Sequence, residues 1–185
     1  SFSYPIVRAM SERTDVFAGL TGFSGFGFEV GAPGSLTRVP GALVTGGYYE
    51  TLGVKPVVGR LIARVDDQPG APLVAVVSYG YWERHLPRSD AAVGQPLRIN
   101  GVPVTVAGDS PRGSTGANVG SIADITMAIS ALPQVSPSAA PLLGTGNFWL
   151  RVLARPAAGL SRTEATERIN VVWWALAGSV IPTQW

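Results

Sequence analysis

Val77-Ser78-Tyr79-Gly80 is the segment of this sequence that could most directly do chemistry, because an apolar strand runs straight into a serine and then into a helix, as at a nucleophile elbow. The first glycine of the G-x-S-x-G pattern is Val76 here, and the only histidine, His85, lies on the same predicted helix seven residues on. A serine triad needs an imidazole that reaches the hydroxyl and a third group that orients it, and one short helix does not supply both. Ser78 is therefore read as a helix N-cap. Gly25-x-Gly27 with Gly31 has the wrong spacing for a dinucleotide fingerprint and leads into a turn where that motif needs a helix, so it reads as a glycine-rich strand packed closely against a neighbour. Asp66-Asp67 could ligate calcium, but no further acid follows at regular spacing, and the expectation is a solvated loop that caps a turn. Glu164 and Glu167 read as a capping residue and an exposed charge, since a glycosidase pair needs two carboxylates facing one cleft. Cysteine is absent, which excludes disulfides, thiolate metal sites and thiol nucleophiles together. The residues thus assign no catalytic, cofactor-binding or metal site.

A chain of 185 residues can bury a real core as one domain or two small intimate ones. With 14% charged residues, 23 glycines and 15 prolines, many turns and short strands are expected and little long exposed helix. The net charge is only +2, and Arg8, Arg38, Arg60, Arg64, Arg84, Arg88 and Arg151 are scattered singly, with no basic stripe, so nucleic acid is not an expected partner. The start S-F-S-Y-P has neither the basic nor the apolar region of a signal peptide, and without an initiator Met the chain reads as an excised piece of something larger. Its longest apolar stretch, residues 169–181, is broken by Asn170, Gly178 and Ser179 and falls short of the roughly 20 residues that span a bilayer, so the chain is expected to be soluble.

The elements around these residues organise on V-T-G-G-Y-Y-E-T-L-G-V-K-P-V-V-G-R-L, residues 44–61. Gly46 and Gly47 free the backbone for positive φ after the apolar run 42–44, and a short helical turn carries Tyr48, Tyr49 and Leu52 before Gly53 caps it. Tyr48 and Leu52, at i and i+4, should share the buried face while Tyr49 points aside. Pro56 then makes residues 54–58 an extended apolar return. Upstream, Ser3 is a plausible cap for a helix that buries Tyr4, Val7 and Met10. Residues 16–30 read as two extended segments with a glycine-softened bend, and residues 36–45 as a strand interrupted or placed at an edge by Pro40. Downstream, residues 73–77 form an apolar strand, Ser78 caps a helix bearing Tyr81, Trp82 and Leu86, and Asn100-Gly101 joins 95–100 to 102–107 as a type I′ hairpin. Residues 111–120 read as a loop, 122–129 as a strand, 130–146 as irregular, and 148–154 as a strand. The last helix opens on a Ser161/Glu164 capping box and keeps Ala165, Ile169, Val172, Trp173 and Leu176 on one face. Trp173 and Trp174 diverge by about 100° on that helix, so one of them reads as a half-buried surface Trp, with contact to a missing partner or domain segment as the alternative.

The stretch TGGYYETLGVKPVVGRL resembles a signature of MacB-like periplasmic core domains, the extracytoplasmic domains of a class of ABC transporter permeases. APLVAVVSYGYWERHL, AAVGQPLRINGVPVTVAG and NFWLRVLARPAAGLSRTEATERI resemble further segments of that family, in the family's order, over most of residues 3 to 170. Asp109, Pro156 and the segment ADITMAIS depart from its pattern. The resemblance implies an α+β fold of two lobes: a porter-like βαβ lobe from residues 1–65 and 147–185, and a smaller, mainly β lobe inserted at 66–146. It implies a non-catalytic domain between the first two transmembrane helices of a permease, on the periplasmic side of the bacterial cytoplasmic membrane. Such domains pass conformational change to substrate or partner proteins. The implied partners are the rest of the permease, a second permease copy, an ATPase fused or separate on the cytoplasmic side, and a periplasmic protein. The chain has no Walker lysine motif, so ATP hydrolysis would occur elsewhere, and no cofactor is implied. The alternative reading is a free-standing secreted hydrolase or sugar-binding protein.

Overall fold

Two interleaved sets of apolar side chains build this molecule, one on each face of a sheet that returns on itself. A computed structural model describes residues 1–86, 90–114, 116–117 and 122–180. In chain order the elements are α1 (Tyr4–Ser11), β1 (Phe17–Val30), β2 (Thr37–Val44), α2 (Tyr48–Leu52), β3 (Val74–Ser78), α3 (Tyr79–His85), β4 (Pro96–Ile99), β5 (Val102–Ser110), β6 (Ile125–Ala128), α4 (Leu132–Val135), β7 (Arg151–Pro156) and α5 (Arg162–Val180). The fold is α+β, as expected. The sheet order is β2-β6-β3-β5-β4-β1-β7, and β2 also pairs with β1. Six strands therefore form a ring that closes where Val30 of β1 meets Ile99 of β4. Strand pairs β2/β6 and β3/β5 are parallel, and β3/β6 is antiparallel.

Period-2 alternation sorts the side chains. Phe28, Leu43, Ala75, Val77, Ile99, Val104, Val106, Ile125 and Met127 belong to one buried cluster. Ala42, Val44, Val74, Val76, Ala107 and Ala128 belong to a second, with Phe23, Tyr48, Tyr49, Leu61 and Ile62. β3 is buried on both faces, which is why it reads as an unbroken apolar run rather than an alternating one. The outer half of β1 leaves the ring and pairs with β7. There α1 and α5 pack on each other and α1 on β1, while Arg155 donates to the Thr51 carbonyl of α2 at 2.7 Å. Strands β1 and β2, from the expected terminal lobe, share the ring with β3 to β6, from the expected inserted lobe.

Several expectations hold. Asn100 and Gly101 take φ of 49° and 81°, the double positive φ of a type I′ turn. The capping box forms in both directions: the Ser161 N–H donates to Glu164 at 2.8 Å, and the Glu164 N–H donates to Ser161 Oγ at 3.2 Å. Gly53 closes α2 in the left-handed region at φ 70°. Others are corrected. Residues 17–30 are one strand rather than two bent segments, because pairing with β7 on one edge and β2 on the other holds it extended throughout. Pro40 neither interrupts β2 nor marks an edge. Its carbonyl accepts from the Asp124 N–H, and its nitrogen faces that same side just before the β6 ladder starts at Gly41. The return over residues 54–58 runs to the bulged end of β5, where Val57, Val58 and Arg60 bond individually. Residues 130–146 are not irregular: α4 and a 3₁₀ helix at Pro137–Leu143 open on prolines, whose fixed φ suits a helix start. Ser3 stands at the N-cap of α1, but its hydroxyl makes no cap bond and, among the described residues, is buried without a partner.

Gly46 and Gly47, both expected at positive φ, lie outside that region, Gly47 at φ −86°. The glycine that the turn requires is Gly46, where a Cβ would stand 2.5 Å from Arg64 Cα and 2.8 Å from the Ala63 oxygen. At Gly47 the nearest atom would be 3.5 Å away. Gly46→Ala should therefore lower the unfolding free energy by about 3 kcal/mol, the upper end for forced overpacking. Gly47→Ala should stay within about 0.5 kcal/mol of the parent. Urea denaturation of the two variants checks this, and equal shifts would mean that residues 63–64 yield freely.

Candidate functional site

The two aspartates expected in a solvated loop are buried, at 5% and 6% exposure. Asp66 accepts both Nη atoms of Arg60, at 2.6 and 2.8 Å, and the Ala63 N–H at 2.9 Å, so the turn-capping half of the expectation holds. Asp67 Oδ1 accepts the Tyr4 hydroxyl at 2.9 Å and the Ser130 N–H at 3.0 Å, while Oδ2 accepts the Gly46 N–H at 3.1 Å. One carboxylate thereby ties α1, the β2–α2 turn and the helical turn after β6. Burial pushes its pKa above the usual carboxylate range, against the pull of these donors. Burial and the facing Asp67 charge likewise raise Tyr4. The loop itself stays at the surface, with residues 63–65 and 68–70 exposed, but its two carboxylates turn inward, where fixed N–H groups, the Tyr4 hydroxyl and Arg60 take the place of water. Among the described residues, no three His, Asp or Glu side chains gather as a metal would need.

Ser78 caps α3, accepting the Tyr81 N–H at 3.0 Å, and its hydroxyl donates to Asp124 Oδ1 at 2.6 Å. His85 is not brought to Ser78; it is exposed and lies against the Tyr81 ring, centroids 4.6 Å apart. The serine therefore has a carboxylate and no imidazole, and the elbow geometry serves the cap. Ser78→Ala should cost about 1 kcal/mol as a lost cap, and His85→Ala less. Thermal unfolding reads the difference, and hydrolysis of a broad ester panel that either change abolished would refute the capping role.

Asp124 also accepts Arg84 Nη2 at 3.2 Å, and Arg112 lies over the Tyr79 ring at 4.1 Å while donating to its hydroxyl at 2.7 Å. Together these side chains line a cleft of about 430 Å³. Sequence reasoning missed it, because Arg84, Arg112 and Asp124 come from separate segments and carry no motif. Gly25, expected to pack closely, is open to solvent, and at Gly27 the Arg38 side chain lies over the strand. The turn at Gly31 leads into β2, so no helix follows for a dinucleotide. Glu164 caps α5, and Glu167 is exposed, as expected. Trp173 packs edge-on against Phe2 at 5.3 Å, whereas Trp174 is 75% exposed.

Among the described residues no helix is long and apolar enough to cross a membrane. No curated protein matches the chain. Among solved structures, the periplasmic region of MacB from Actinobacillus actinomycetemcomitans has the same fold, with TM-score 0.72 at 12% identity over 96% of this chain and 75% of that one. The extracellular domain of the ABC-type transporter YknZ from Gram-positive bacteria aligns with TM-score 0.66 at 14% identity, over 97% of this chain and 84% of that one. A family profile described as the MacB-like periplasmic core domain matches residues 1–172. With nearly all of its length matched in sequence and its fold shared with two transporter domains, the chain belongs to the MacB-like periplasmic core domain family.

Proposed function

We propose that this chain is the non-catalytic extracytoplasmic module of a bacterial ABC transporter permease, on the periplasmic side of the cytoplasmic membrane, and that it passes ATP-driven conformational change to substrate or partner proteins. The observation that carries this reading is the family match over residues 1–172. Its partners are the remainder of the permease, a second permease copy, an ATPase fused or separate on the cytoplasmic side, and a periplasmic protein. Such a role asks for stiff connection rather than a reaction centre. The 14 residues of β1 run through both the ring and the pairing with β7, and Asp67 ties three elements that enter the core separately. A secreted hydrolase or sugar-binding protein is the less favoured reading, because the family match over residues 1–172 is to a transporter domain and, for a hydrolase, Ser78 has no imidazole partner.

The division into a lobe of residues 1–65 with 147–185 and an inserted lobe of 66–146 is part of the proposal. Replacing 66–146 by a short Gly/Ser linker should leave a folded terminal remnant by circular dichroism; a fully unfolded product would overturn the division. The coupling itself is tested in the whole permease. The chain has no cysteine, so a spin label at Trp174→Cys is unique within it. In reconstituted permease with its ATPase, the distance between labels on two copies should change between the ATP-bound and ADP-bound states. Identical distances in both states during active transport would sink the coupling reading.

A further inference from the structure

The cleft beside Ser78 lies at the carboxyl ends of two parallel strands. Ser78 at the end of β3 is in register with Ser110 at the end of β5, and on its other side β3 is flanked by the antiparallel β6. The ends of β3 and β5 and the start of the oppositely directed β6 leave a crevice between them. Here the crevice is walled by Tyr79 and Arg84 of α3, by Arg112 and Ser114 from the loop after β5, and by Ile122 and Asp124 leading into β6.

The side chains are set for an anion. Gly80, one helical turn before Arg84, leaves room for the Arg84 guanidinium to fold back: a Cβ there would stand 3.0 Å from its Nη1. Arg84 uses one nitrogen on Asp124, and Arg112 uses one, shared between the Tyr79 hydroxyl at 2.7 Å and Glu83 at 3.4 Å. Among the described residues their remaining N–H groups have no acceptor, so each fork keeps donors for a planar anion. Asp124 and Glu83 offset the two positive charges, which disfavours multiply charged anions and suits a single carboxylate. Ile122 gives the rim an apolar surface at 52% exposure. The Arg84 and Arg112 side chains are 56% and 69% exposed, so the cleft is open to solvent and can admit part of a chain.

We propose that this cleft binds a single peptide carboxylate, a C-terminus or an acidic side chain, carried beside an apolar residue on an extended segment of a partner protein. The carboxylate lies between Arg84 and Arg112, and the apolar neighbour lies on Ile122. This goes beyond the transport reading and does not depend on it, because binding is a property of the chain alone.

The probe is the peptide acetyl-Ala-Ala-Leu with a free C-terminus, against its C-terminal amide and inorganic phosphate, followed by amide NMR shifts of the 185-residue chain. The free acid should shift residues 78–80 and 112–114, with the amide and phosphate about tenfold weaker or more, as loss of a charge-assisted fork implies. Arg84→Gln and Arg112→Gln should each weaken the acid by about tenfold as well, with thermal unfolding near the parent because both side chains are mostly solvated. Ile122→Ser should weaken the acid while leaving phosphate unchanged. No shift in the cleft with the acid, equal binding of acid and amide, or phosphate binding as tightly as the acid would each overturn the proposal. Transport measurements play no part in it, so its failure and that of the coupling reading remain distinguishable.

Discussion

Asp67→Ala should lower the unfolding free energy by about 3–5 kcal/mol, a large share of the roughly 5–15 kcal/mol that holds a domain together. The substitution removes the acceptor of the Tyr4 hydroxyl and of the Gly46 and Ser130 N–H groups at once. Each is a bond to a carboxylate, worth about 1.5–3 kcal/mol, and each donor is left in a place from which water was excluded. The three do not add in full, because Asp67 borders a pocket of about 110 Å³ through which water can reach part of the vacancy. Asp66→Ala should cost less, about 1–3 kcal/mol, because its partner Arg60 is half exposed and can turn its donors to solvent. Urea denaturation of both variants orders them, and an Asp67→Ala loss below that of Asp66→Ala would remove the carboxylate from the centre of the fold.

The same residue sets a pH slope. Its carboxyl binds a proton more tightly in the folded chain than in the unfolded one, since burial outweighs the donors that favour the charged form. Among the described residues Oδ2 accepts one hydrogen bond, from Gly46, which leaves it a lone pair for that proton. A raised folded pKa means that the folded state gains stability from this group at low pH, complete below the unfolded carboxylate value of about 4, and loses it as pH rises through the folded pKa. The stability difference between the parent and Asp67→Asn should therefore drift against the parent as pH rises through that window. A drift of the opposite sign would show that the three donors outweigh burial.

What was legible in the sequence was whatever a short window determines. The hairpin at Asn100-Gly101, the Ser78 cap and the Ser161/Glu164 box each rest on residues within a few positions of one another, and each forms. What the sequence hid depends on distant segments meeting. Asp67 finds Tyr4 and Ser130 each 63 residues away, and nothing local to Asp66-Asp67 separates a buried pair from a solvated one. The cleft is hidden for the same reason, since Arg84 and Asp124 are 40 residues apart. β1 was misread as two segments because its glycines look like breaks, and only pairing along both edges keeps them extended. The ordered family segments succeeded where single motifs could not, because they sample many such distant meetings together.

The aromatic turn gives the second large effect. Tyr49→Ala should cost about 3–5 kcal/mol, as truncation of a buried aromatic does, and Tyr48→Ala a similar amount. Leu52→Ala should cost only about 1–2 kcal/mol, because the burial of that side chain is partial. This reverses the expectation that Tyr48 and Leu52 share the buried face while Tyr49 points aside. That rule assumes a helix lying on one flat surface. The single turn of α2 instead sits in a concavity, so tyrosines about 100° apart both find walls. Tyr48 reaches Phe23, ring centroids 6.0 Å apart, and its hydroxyl accepts the Ala117 N–H at 2.8 Å. Tyr49 packs edge-on against Tyr48 at 5.1 Å and has Thr126 of β6 for a neighbour. Burial lifts both phenols above their ordinary value, a sign that neither hydroxyl is bathed in water. Tyr49→Phe separates ring from hydroxyl: it should lose about 1 kcal/mol at most, the net worth of a single hydrogen bond, and keep the packing. Chemical denaturation of the four variants decides between the two pictures. A Leu52→Ala loss matching that of Tyr49→Ala would restore the flat-surface arrangement, and with it the view that α2 covers the ring with one face instead of filling a hollow with two rings.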